Sequence, residues 1–242
     1  MTEFLQARGD ARHSQAHPAL SRELRAAIAR DLVPVRPLAA PWRRALAFAP
    51  LGILLVAASP LLWGLGSSVQ ALPLWASWGL SAAQALVGLL VVGAALREAV
   101  PGRGLSRGML GALAAATVAV FVGISLGSAS ALPTVVPVVD RLRFIWECFY
   151  MAAIVGVPAL ALVAWLAWRL LPGRPAIAGA LCGLGAGLLT DAGVRLFCWV
   201  TEPLHVLVAH GGAIAALVVL GALLATGIDR IAAAHAARRA AR

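Results

Sequence analysis

Charge is the scarcest property of this chain. Of its 242 residues only 12% are Asp, Glu, Lys or Arg, where a water-soluble domain carries about a quarter. So little polar surface could not cover a globular fold in water, which excludes the soluble classes. Lysine is absent altogether and every basic side chain except histidine is arginine, a bias expected of a GC-rich genome that need not be functional. The three cysteines are an odd number and do not make a disulfide framework. No CxxC pair occurs, which argues against a thiol oxidoreductase. No P-loop, Rossmann fingerprint or nucleophile–base motif stands out either, so the chain reads as a non-enzyme without a cofactor. No cleavable signal precedes the first apolar run, and the first span is expected to act as its own insertion signal.

What is present is apolar length. Hydrophobic residues make up 61% of the chain, and the mean hydropathy is +0.88. A transmembrane helix needs roughly 20 mainly apolar residues, and six such runs are legible: 45–66, 74–96, 108–131, 148–170, 176–199 and 204–227. The separators are turn-like: REAVPGRGLSR at 97–107, LPGRP at 171–175 and VTEP at 200–203. The expected fold is therefore an all-α integral membrane protein, a six-helix transmembrane bundle. Its parts are a cytoplasmic N-terminal segment 1–43, a transmembrane domain 44–228 and a basic cytoplasmic C-terminal tail 229–242.

The arginines orient it. Eight lie in 1–44, three in 97–107, and Arg169, Arg174, Arg230, Arg238, Arg239 and Arg242 fall on the same side if the N-terminus is inside. The outer loops hold only Arg141 and Arg143. Basic loops stay in the cytoplasm, so both termini are expected there. The net charge of +10 then reports topology and membrane lipid rather than direct nucleic-acid binding.

In the tail, Leu20, Leu24, Ile28 and Leu32 recur every four residues among charged ones, the pattern of a short amphipathic helix. Such a helix either lies on the anionic inner leaflet or docks in a partner's groove. Farther on, Gly179, Gly183 and Gly187 form a GxxxGxxxG face suited to close helix packing. Polar residues collect at the outer end. Cys148 opens the fourth span, Asp191, Arg195 and Cys198 close the fifth, Glu202 sits in the turn, and His205 and His210 start the sixth. Asp191 and Arg195, four apart, share a helix face and can neutralise each other. Cys148 and Cys198 fall at matched depth, where they are either small apolar packing residues, a disulfide pair or ligands of a soft metal. The spacing is not a zinc signature, and it names no metal. A small transporter or metal-efflux protein would instead use Asp191, Arg195, His205 and His210 as a path, but the polar set sits at one end rather than at the midplane.

Over its whole length the chain resembles the NrsF family (DUF1109) of bacterial inner-membrane anti-sigma factors. The resemblance rests on DLVPVRPLAAPWRR at 31–44, on Cys148 followed by Pro158, on RPAIAGALCGLGAGLL at 174–189, and on Cys198, Glu202 and His210 in that order. It departs from the family where Trp199, not Pro, follows Cys198 and where Ala209, not an aromatic, precedes His210. The resemblance implies an anti-sigma factor that holds an extracytoplasmic-function sigma factor through residues 1–43. It also implies that Cys148 and Cys198, with Glu202 and His210 nearby, sense a metal, oxidative or light-derived signal, the last as in the related CarR type.

Overall fold

The structure is a computed structural model and describes residues 22–31, 40–134, 136–170 and 172–241. Among them there is no strand. The chain divides into two units, Met1–Leu38 and Ala39–Arg242. In the first unit, α1 spans Arg22–Asp31 and carries Glu23 in its first turn and Arg30 in its last, the polarity that suits a helix dipole. Leu24 and Ile28 are exposed on it; Leu20 and Leu32 lie outside the described residues.

The second unit is a helical bundle: α2 Pro41–Ala47, α3 Ala49–Trp63, α4 Ser67–Ala71, α5 Leu74–Glu98, α6 Arg107–Ala131, α7 Val138–Trp168 and α8 Pro175–Phe197. The last helix, α9, runs over Pro203–Ala240. Five of these, α5 to α9, are long and apolar enough to cross a membrane. The chain is a multi-pass membrane protein on that measure. The first of the six expected spans is different. It is broken at Phe48, and its apolar part, α3, has 15 residues, or ~22 Å of helix, short of a hydrocarbon core of about 30 Å. Pro50, without an N–H, cannot continue the ladder from α2.

Two expected boundaries move. The fourth helix begins at Val138, not near 148, so Cys148 lies in its third turn rather than at its head. Its first turns mix apolar residues with Asp140, Arg141 and Arg143, and Arg143 reaches Glu147 at 2.7 Å one turn on. Hydropathy ends where charge begins, but a helix does not. Likewise α9 continues to Ala240, and at 38 residues it is ~57 Å long, well beyond the bilayer's hydrocarbon.

The centre of the bundle is α8, which packs against α3, α5, α7 and α9. Its glycines make this possible. A Cβ added at Gly179 would collide with the Gly221 carbonyl, and one at Gly183 with the Leu217 carbonyl, both on α9, while Gly187 sits on Ile214. Gly185 lies against Val92 on α5, and Gly193 against the Val56 carbonyl on α3. The packing is therefore backbone to backbone on three faces. At the N-terminal end of α8, Arg174 donates to both carboxylate oxygens of Glu98, at 2.6 and 2.8 Å, and to the Leu105 carbonyl at 2.8 Å. The Leu105 N–H in turn donates to Glu98 at 2.6 Å. This bidentate clamp ties the 99–106 turn to α8.

Candidate functional site

The other end of α8 holds the polar residues. Asp191 is buried there and is the hub. Its Oδ2 accepts from Gln84 Nε2 at 2.6 Å and from Arg195 Nε at 2.9 Å, while its Oδ1 lies 2.6 Å from His210 Nδ1. Arg195 passes the connection on to Ser125 Oγ at 2.9 Å and lies 4.9 Å from the centre of the Phe121 ring. Three helices thus meet at one carboxylate, α5 through Gln84, α8 itself and α9 through His210, and α6 joins them through Ser125 on Arg195. A charge in this setting needs such compensation, because an unpaired buried ion costs several kcal/mol.

About two turns beyond Asp191, where α8 ends, Cys198 meets Cys148 from α7 with their sulfurs 3.3 Å apart. Both are free thiols, since a disulfide would hold them at about 2.0 Å. Cys198 Sγ is also 3.4 Å from His205 Nε2, and the rings of His205 and His210 stack edge to face at 5.6 Å. One ligand atom from each of Cys148, Cys198, His205 and His210 lies within 4.8 Å of all the others, and all four residues are buried. Soft thiolates and imidazoles are the donor set of zinc-class metals.

The site has a cover and an approach. Val136, from the segment between α6 and α7, and Val200 pack in one apolar cluster with the two thiols. The segment is strapped down by hydroxyls: the Thr201 N–H donates to Thr134 Oγ1 at 2.9 Å, and Thr201 Oγ1 donates to the Leu132 carbonyl. Beside it runs a crevice of about 60 Å³, mostly apolar but lined in part by Ser77, Ser81, Ser128, Arg195 and Thr201, and reaching Cys198 and His210. That is room for a few waters.

A family model described as NrsF, negative regulator of sigma F, matches residues 28–230. The chain belongs to that family. The family is one of regulators of a sigma factor, not of enzymes. No curated protein and no solved structure matches the chain.

The sequence-derived candidates separate once placed. Cys148, Cys198 and His210 converge. Glu202 does not join them; it pairs with Arg141 of α7 at 2.8 Å. Asp191 and Arg195 lie next to the thiol cluster, linked to it by His210. Cys182, the third thiol, is buried elsewhere in the α8 core. Two participants, Gln84 and Ser125, were not among the candidates, and His205, read as one of the polar residues at the outer end, is placed beside the Cys198 thiol. His205 had a signal, being a histidine seven residues after Cys198. Gln84 was discernible only as a lone amide within an apolar run.

Proposed function

We propose that this family member is a bacterial inner-membrane anti-sigma factor. It binds an extracytoplasmic-function sigma factor at the cytoplasmic face and releases it when an envelope signal (metal, oxidative or light-derived) reaches Cys148 and Cys198 at the outer face. The observation that carries this reading is the extent of the family match, which begins inside the N-terminal segment and continues through the bundle. Residues 1–43 are the binding segment, with Leu20, Leu24, Ile28 and Leu32 as the apolar contacts. In this reading α2 and α3 together make the first of six spans, and both termini face the cytoplasm. The arginine-rich 1–44, 97–107 and 229–242 segments support that orientation.

The protein acts by binding, not by turnover. A sigma factor held at the membrane is withheld from core polymerase, and release needs only that the signal favour one of two bundle states. The connection from the thiols through His210 and Asp191 to α8, and along α8 to the Glu98–Arg174 clamp, is a continuous physical route between the two ends.

Co-purification tests the first half. Full-length protein in detergent is expected to retain the sigma factor, and the chain lacking 1–43 to lose it. A sigma-dependent reporter that is indifferent to deletion of 1–43 defeats the proposal. Cys148→Ser and Cys198→Ser test the second half, since each is expected to change induction without changing basal capture.

A further inference from the structure

We propose that Cys148, Cys198, His205 and His210 are the four ligands of a binding site for a soft divalent cation of the zinc class. Its regulatory meaning rests on the sensory reading of the same thiols, which it deepens by naming the ligand; the site itself stands on geometry.

The first support is size. A tetrahedral site with metal–sulfur bonds of about 2.3 Å and metal–nitrogen bonds of about 2.1 Å has ligand–ligand edges of roughly 3.4–3.8 Å. The sulfurs here are 3.3 Å apart, and Cys198 Sγ is 3.4 Å from His205 Nε2. No pair among the four exceeds 4.8 Å, so side-chain adjustments suffice.

The second is helix geometry. At about 100° per residue in an α-helix, residues five apart point roughly 140° away from each other. His205 and His210 are five apart and nevertheless stack. They do so because Val206–Gly211 is π-helical, and i→i+5 bonding brings such residues to one face. A π-helical stretch is rare and concentrates at functional sites. Here it turns both imidazoles toward the thiols.

The third is a buried imidazole nitrogen aimed at the thiols. Asp191 only accepts, so His210 Nδ1 carries the proton and donates to it at 2.6 Å. The lone pair is then on Nε2, which is buried and, among the described residues, has only the Cys198 thiol to face. His210 is only 3% exposed. A carboxylate fixing the far nitrogen is the usual outer partner of a metal-bound histidine. Asp191 is thus a positioning residue.

The fourth is charge. On loading, each thiol gives one proton to solvent and the cation sheds its waters. No atom changes oxidation state. Two thiolates, a dication and two neutral imidazoles sum to zero, which suits a buried site. The Asp191 charge is already offset by Arg195. The crevice at Cys198 and His210, with the Ser77, Ser81 and Ser128 side chains on its wall, is the approach for the ion.

Cobalt titration tests it. Full-length protein in detergent, stripped by chelator, is titrated with Co²⁺ and then back-titrated with Zn²⁺. One Co²⁺ per chain is expected, with intense tetrahedral visible bands and a near-ultraviolet thiolate-to-cobalt band, both displaced by Zn²⁺. Cys148→Ser and Cys198→Ser are each expected to remove much of the thiolate band, and Cys182→Ser none of it. His205→Gln and His210→Gln should weaken Co²⁺ binding about tenfold or more, and Asp191→Asn about 10- to 100-fold with the thiolate band retained. Wild-type protein that takes up no stoichiometric cobalt, or gives only weak octahedral bands, overturns the site without recourse to any variant. So does uptake indifferent to both histidine variants. Sigma-factor capture by the stripped protein is measured in parallel. Capture without any cobalt uptake overturns the metal site and leaves the anti-sigma reading standing. Cobalt uptake without capture supports the site and defeats that reading.

Discussion

Helices α8 and α6 are of similar length, yet they live in different surroundings. In their most apolar stretches, 83% of α8 is buried against other helices and only 11% of α6. The buried one is the less apolar: α8 is the least hydrophobic of the five long helices, and α6 exceeds it clearly. In water that order would be paradoxical. In lipid it follows from the solvent, since tails are as apolar as leucine and no hydrophobic gain draws α6 inward. What earns an interior place is a small or polar surface that lipid cannot satisfy. Helix α8 has both, in its glycines and in Asp191 and Arg195, whereas α6 is attached there mainly by Ser125 and Phe121 meeting Arg195.

Substitutions that exchange the properties of the two helices should break the contrast, and their effects should fall in order. Gly183→Leu is expected to be the most damaging, because its side chain would have to occupy the Leu217 backbone. Loss of the monodisperse peak in size-exclusion chromatography reports it. Gly123→Leu on α6 meets open space and should leave the peak unchanged. Asp191→Ala strands Arg195, His210 and Gln84 at once and should cost about 3–5 kcal/mol, read by denaturant unfolding in micelles. Adding Arg195→Met should recover part of that loss. Arg174→Ala leaves the buried Glu98 with the Leu105 N–H and should cost less, about 1–3 kcal/mol, since the partly exposed position of Arg174 lets water replace it. Ser125→Ala, which cuts one tie of α6 to α8, should cost only about 0.5–1.5 kcal/mol.

The same contrast explains what the sequence discloses. Apolar length marks α5 to α9 because lipid demands it of each helix separately. A spacing of four places Asp191 and Arg195 on one face by helix geometry alone, and the glycine spacing marks one face of α8 for the same reason. The other side chains of this network come from far along the chain. Gln84 is 107 residues from Asp191 and Ser125 lies 70 from Arg195, so no local pattern announces them. Gly185 and Gly193 serve different neighbours from the GxxxG face, and only the assembled bundle reveals which. The pairing of His205 with His210 is hidden for a different reason. It depends on a π-helical stretch, and α-periodicity assigns those two residues to different sides. The early start of α7 at Val138 escapes hydropathy because its first turns carry charge pairs, Arg141–Glu202 and Arg143–Glu147, among their apolar contacts.

The strap over the thiols has a kinetic consequence. Thr134 and Thr201 hold the cover with a few hydroxyl bonds rather than a continuous ladder, and Val136 packs in one apolar cluster with the thiols. A cover fastened in this way opens as a local event, separate from unfolding of the bundle. A thiol reagent too bulky for the crevice therefore reacts only in the open intervals. At high reagent concentration its rate levels off at the opening frequency, so the labelling of Cys148 and Cys198 becomes a clock for the cover rather than a measure of thiol reactivity.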